Sequence, residues 1–343
     1  MKKHARLFFL AATALAFSAC EKTDSMESMV TPSQSAVLYA TNNSNGDISA
    51  YDLKSSNMMT TTFATSSTAA DGVYFDGSTG TLLQVSRSSK GIEGFKVTSS
   101  VNLGGILNVA LDIDGSKDME SPREMAVSGN FYVVADNADV DKNTATPDGR
   151  LFIYQRNGNS FSLRNVITTD IKLWGITFIG NDLYAVADAD NKLGVYTNFL
   201  SNTSNMTLTT SKKVAIEGIV RTHGLDYDAS TDTMVLTDIG DATNTQSDGG
   251  FQVITGFKSK FNSVSNSGTI AAKDMIRVSG PMSNLGNPVD VAYDGETKTV
   301  YIAEAGNGGG RILSYTNITA NGDMAPKMNQ SLAAASSVYL YKK

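Results

Sequence analysis

The stretch His223-Gly224-Leu225-Asp226-Tyr227-Asp228, a polar turn, and then Met234-Val235-Leu236-Thr237-Asp238 decides the fold. An alternating apolar run, a turn and a second apolar run ending in an acid describe two antiparallel strands. Five further segments align on the same frame: Asp71 to Asp76, Arg123 to Val127, Trp174 to Phe178, Val289 to Asp294 and Ser336 to Leu340. With the second residue of each as anchor, the copies are spaced by 52, 51, 49, 66 and 47 residues. Periods of this size, built only of short strands, are the mark of propeller blades.

A second strand follows the middle copies, as in Phe131 to Asp136, Leu183 to Asp188 and Val300 to Glu304. A third then ends in an aromatic, as in Leu151 to Tyr154, Leu193 to Tyr196 and Ile312 to Tyr315. The chain ends complete each other. Val37 to Thr41 and Ile48 to Tyr51 read as second and third strands without a first, while Ala335 to Tyr341 is a first strand with nothing after it. The expectation is an all-β, six-bladed propeller over residues 35–343, closed by pairing the C-terminal strand with the N-terminal blade. Blade five is lengthened by Ile239 to Gly250 and by Lys258 to Ser267, and blade three carries a similar loop, Asn137 to Gly149. The blade-five insertion and the loop Asn137 to Gly149 both read as falling between second and third strands, which puts them on one face of the disc.

Residues 1–19 read as a leader and not as fold. Lys2, Lys3 and Arg6 precede a mostly apolar stretch from Leu7 to Phe17, too short for a lasting membrane span. Phe17-Ser18-Ala19-Cys20 resembles the lipobox of bacterial lipoproteins, with Phe17 where Leu is usual. The resemblance implies a lipid anchor to the membrane through Cys20, and Glu21 favours sorting to the outer membrane of the cell envelope. Residues 20–34 are polar, free of aromatics and contain Pro32, as a flexible tether would be.

Cys20 is the only cysteine, so the exported chain has no internal disulfide and no thiolate metal site. Losing the leader's three basic residues moves the net charge from −6 to −9, which argues against nucleic acid as a partner. Once His4 leaves with the leader, His223 is the one histidine. That excludes sites needing two histidine ligands, and no Gly-x-Ser-x-Gly elbow is present to supply a serine nucleophile. No cofactor or metal is expected as a fixture, and any bound metal would be a hard, oxygen-ligated cation such as Ca²⁺ or Mg²⁺. The acidic runs Asp139 to Asn143 and Asp112 to Asp118 do not complete a calcium loop, with Thr144 at the glycine position of the first and the final Glu missing from both, and read as solvated loops. The acids ending the second strands, Asp136, Asp188, Asp238 and Glu304, read as turn-fixing acceptors for backbone N–H groups.

In a six-bladed ring the first-strand starts line the central channel. Asp71, Arg123, Trp174, His223, Val289 and Ser336 would surround its mouth, with Glu124 and Asp290 one residue deeper. An acid, a base, an imidazole and the only tryptophan converge there. The candidate ligand-binding set is therefore Asp71, Arg123, Glu124, Trp174, His223 and Asp290.

The repeats resemble NHL-type propellers, most closely over Tyr184 to Tyr196 and Tyr301 to Tyr315, a likeness of architecture that carries no particular function. His223-Gly224-Leu225-Asp226-Tyr227 also looks like the Asn-Gly-Leu-Asp-Trp stretch of the gluconolactonase (SMP-30-like) propellers. That resemblance implies a channel cation and lactone hydrolysis. Here His223 stands where the family's liganding Asn would be, and only Asp71 matches a ligand position unchanged. The expected function is a non-catalytic binding or interaction module for a small polar ligand or a partner protein. The alternative is a Ca²⁺-dependent lactonase or esterase.

Overall fold

The computed structural model describes residues 35–55, 57–97 and 104–343. The expected leader and tether, with Cys20, fall outside the described residues. Six small sheets, each built on four antiparallel strands, form the six blades. The innermost strands, in ring order, are Ala335–Lys342, Ala70–Asp76, Pro122–Ser128, Leu173–Ile179, Leu225–Asp228 and Pro288–Asp294. Each expected repeat thus begins at or within two residues of an inner strand.

The closure is as the sequence implied. Ala36–Asn42 pairs antiparallel with Ala335–Lys342, with Leu38 opposite Leu340, Tyr39 opposite Tyr339 and Ala40 opposite Val338. The core explains why the ring must close. Buried side chains form six clusters, each filled from two adjacent blades. One joins blade six to blade one through Val289, Ala303 and Ile312 against Leu38, Tyr51 and Val338. A blade presents apolar residues on both faces because strand residues alternate sides, and each face needs a neighbour. Fully burying one Val, Leu or Ile is worth about 1.5–3 kcal/mol. An open ring would leave two such faces in water.

Two features were not legible in the repeats. First, the chain reaches back between a blade's third and fourth strands to add a parallel strand to the outer edge of the preceding blade. Gly105–Asn108 does so on blade one, Met206–Leu208 on blade three and Thr269–Ile270 on blade four. A single Val278–Gly322 bridge repeats the move on blade five. These additions cover exposed sheet edges, which otherwise invite pairing with other chains. An asparagine holds three of them: Asn205, Asn266 and Asn321 accept from the N–H of Val166, Lys213 and Arg277 at 2.8, 2.9 and 2.8 Å.

Second, the Lys258 to Ser267 part of the blade-five insertion sits between third and fourth strands. It contains a helix, Phe257–Ser263, where the composition gave no helix signal. Phe257 and Phe261 bury against Tyr184 of blade four, and Phe257 also against Tyr227 of blade five; this packing outweighs the weak local propensity.

Candidate functional site

Two of the acids ending second strands behave as read, and a third does so more fully. Asp136 accepts from the N–H groups of Glu120 and Ser121, and Asp238 from those of Val220, Arg221 and Gly240. Glu304 accepts from Gly286, Asn287, Gly306 and Asn307. Asp188 departs from the pattern, because its partners are the side chains of Asn137, Arg221 and His223. That exchange builds the centre of the molecule.

The inner strands start on what is here called the leading face, together with the connections between blades and the turns between second and third strands. Asp71, Arg123, Trp174 and His223 meet there as expected, and they pack against one another. The Arg123 guanidinium carbon lies 4.4 Å from the centroid of the Trp174 ring, and Trp174 stacks on His223 at 3.7 Å. His223 Nε2 is 2.7 Å from Asp188 Oδ1. Asp71 sits beside this stack, 3.8 Å from Arg123 and 3.7 Å from Arg87, and accepts from Asn43 at 2.8 Å. Asp71, Arg123 and His223 are buried, at 3%, 7% and 3% exposure, so the leading end of the channel is packed nearly shut. Val289 and Ser336 are buried too, and Ser336 donates to the carbonyl of Ala70.

Burial pushes the His223 imidazole below its usual range against the pull of Asp188, so it is neutral at pH 7, with Nε2–H donating to the carboxylate. Burial would raise Asp188, but its bonds to His223, Asn137 and Arg221 hold it well below the ordinary carboxylate range. Arg123 Nε, Asp71 Oδ2 and His223 Nδ1 are buried without a hydrogen-bond partner among the described residues.

One residue deeper, the ring at the axis reads Gly72, Glu124, Gly175, Gly224, Asp290 and Ser337. A Cβ at Gly175 would stand 2.5 Å from the His223 carbonyl oxygen, and one at Gly224 would stand 2.6 Å from Asp290 Cα. Glycine there lets the strands pinch together, and the waist leaves room only for the other three side chains. Ser337 Oγ lies 3.0 Å from Glu124 Oε2 and 2.8 Å from Asp290 Oδ2. Glu124 and Asp290 therefore share one hydroxyl, away from the Arg123 layer.

Below the waist the channel widens into a cavity of about 540 Å³, lined by all six inner strands and opening on the face where they end. It lies toward the strand ends, away from the strand starts that define the expected mouth. The period-two rule was the usable signal: Asp226 with Asp228, and Asp290 with Asp294, fall on common faces of their strands.

Outside the channel, Asp148 joins Asp139 and Asp141 in the blade-three loop, the three carboxylates lying within 4.8 Å of one another. Oxygen ligands of this kind suit a hard cation. The loop already uses two of them internally, Val140 N–H donating to Asp148 and Asn143 N–H to Asp141. Asp112 and Asp114 instead lie on the outer strand of blade two.

No family model matches the chain, and no curated protein does. By fold it is similar to a chain in the crystal structure of a nidogen/laminin complex, with a TM-score of 0.58 and 13% identity over 90% of this chain and 98% of that one. The likeness supports the six-bladed propeller.

Proposed function

We propose that the chain is a lipid-anchored, extracytoplasmic propeller that acts as a non-catalytic interaction module and receives a partner protein on its leading face. Residues 1–19 serve as the leader, Cys20 carries the lipid and residues 21–34 form the tether. The observation that carries the reading is the placement of exposed apolar side chains. Val220 and Met282 are 63% and 57% exposed in consecutive inter-blade connections, and Val140 is 45% exposed in the blade-three loop. All three lie on the face where the channel is packed shut. Exposed apolar side chains set among polar loops are what a protein partner buries, and the other exposed large apolar residues, Ile106, Leu111, Leu163 and Met206, lie apart from this face on outer strands. The loops there are also braced: Gln246 and Asn307 bond across blades five and six. The structural neighbour in a nidogen/laminin complex is consistent with a propeller used for protein contact.

The lactonase alternative is weaker on this geometry. His223, the imidazole such chemistry would draw on, is buried, neutral and held between Trp174 and Asp188. A second binding reading, a small polar ligand at the leading end, is favoured by the unpartnered atoms of Arg123, Asp71 and His223.

Native-gel mass of the full-length protein solubilised from its own envelope tests the proposal. Wild type is expected in a complex above monomer mass, and the Val220→Asp/Met282→Asp double variant as a monomer. A wild-type monomer, or a double variant that keeps the complex, contradicts it. Lactone hydrolysis that depends on Ca²⁺ would return the reading to an enzyme.

A further inference from the structure

The cavity on the far face is chemically one-sided. Six carboxylates line it, Glu124, Asp226 and Asp290 at the floor and Asp228, Asp294 and Glu296 toward the rim. Lys342 is the one basic residue among the lining side chains, and its ammonium is already bonded to Asp294 at 2.8 Å and Glu296 at 2.6 Å. The walls add the half-buried rings of Tyr74, Phe178, Tyr293 and Tyr339. Aromatic faces beside carboxylates form a site for a cation, which is attracted by both.

The floor acids lack a counter-charge. Asp290 Oδ2 accepts from Ser337 and from Val338 N–H, and Asp226 accepts from the N–H groups of Tyr227 and Tyr293. These are neutral donors. Burial accordingly pushes Asp226 up to about 6 and Asp290 up to about 7, and raises Glu124 well above the usual glutamate range. The groups facing this trio are Asp71 across the waist, Tyr74 and Tyr339 on the walls, and Asp228, Asp294, Glu296 and Lys342 at the rim. Among them only the lysine is cationic, and it is engaged.

The spacing selects the kind of cation. Among the described residues, only Asp139, Asp141 and Asp148 bring three carboxylates within 4.8 Å of one another, so the floor trio is too spread for a compact metal ion. Floor and rim are separated along the strands by two residues on blade five and four on blade six. At about 3.3 Å per residue this is about 7 to 13 Å, more than one ammonium can bridge. We propose that the far half of the channel binds a linear aliphatic polyamine, one ammonium resting among Glu124, Asp226 and Asp290 and another at the rim acids, its methylenes against the tyrosines. The site is separate from the leading face and does not depend on how that face is used.

Calorimetric titration of the full-length protein in detergent with spermidine, butylamine and CaCl₂ tests this. Spermidine is expected to bind at least tenfold more tightly than butylamine. Its affinity is expected to rise about tenfold from pH 6 to pH 8, with protons released to the buffer as it binds. Asp290→Asn and Asp226→Asn should each weaken binding tenfold or more while unfolding cooperatively, whereas Asp112→Asn on the outer strand should change nothing. Equal affinities for spermidine and butylamine would overturn the proposal as mere attraction to an acidic surface. So would spermidine binding unaltered by both floor variants, or displacement of spermidine by equimolar Ca²⁺.

Discussion

The indole of Trp174 lies flat on the imidazole of His223, with ring centroids 3.7 Å apart and planes 6° from parallel. Arg123 covers the other face of the indole, and Asp188 fixes the imidazole. Polar and aromatic groups of blades three, four and five thus meet in one stack at the axis. A double-mutant cycle on Trp174→Leu and His223→Leu, read by denaturant unfolding, is expected to give a coupling of about 0.5–1.5 kcal/mol, the range for a stacked aromatic pair. His223→Leu alone should cost about 1.5–3 kcal/mol for the lost bond to a charged carboxylate. Additive losses would show that the stack is geometric proximity without energy.

Deleting residues 333–343 removes the inner strand of blade one, including Val338, which packs between blades six and one. At about 1.5–3 kcal/mol per buried apolar side chain, against a total stability of about 5–15 kcal/mol, the truncated chain should show no cooperative thermal transition. An unchanged melting curve would contradict ring closure as the organising principle.

Six blades, their order and the closure were all readable, because each depends on residues that repeat with the blade. The convergence of Asp71, Arg123, Trp174 and His223 was readable from the same alignment. What the alignment could not carry was direction and depth. Whether strand starts form an open mouth or a packed stack depends on Gly175 and Gly224 allowing backbones to touch, which only the three-dimensional contacts reveal. Asp226 stands in the His223 to Asp228 motif, and the face it shares with Asp228 was the one local signal of its place in the channel. The reach-back strands escaped notice because Met206–Leu208 and Thr269–Ile270 are two or three residues long, below any periodicity.

The floor acids make stability fall as pH rises. Asp226 and Asp290 hold protons in the folded protein up to about 6 and about 7, whereas the unfolded chain releases them near 3.8. Between those limits the native state binds more protons, so its stability is greatest below the unfolded value and is lost as pH climbs through the folded values. The loss from pH 5 to pH 8 should be on the order of 4 kcal/mol, and smaller in Asp290→Asn. His223, lowered by burial, works in the opposite sense in this window but is common to both proteins. Unfolding curves at the two pH values check the difference; equal slopes for wild type and Asp290→Asn would refute the assignment.

On the proposed anchor and tether, Cys20→Ala should move the protein from the membrane to the soluble fraction and leave its thermal transition within about 1 °C of wild type. Labelled fatty acid on the variant, or a mature N-terminus other than residue 20, would contradict the anchor.

Site-specific photo-crosslinking on the full-length protein in its native host addresses the central claim, that the leading face receives a protein partner. A photoreactive residue would be placed in turn at Val140, Val220 and Met282, and at Ser230 and Lys298 on the far face as comparison. The account expects one crosslinked species of common mass from the three leading-face positions and none from the other two. The same species from Ser230 or Lys298, or an uncrosslinked monomer at all five positions, would contradict it.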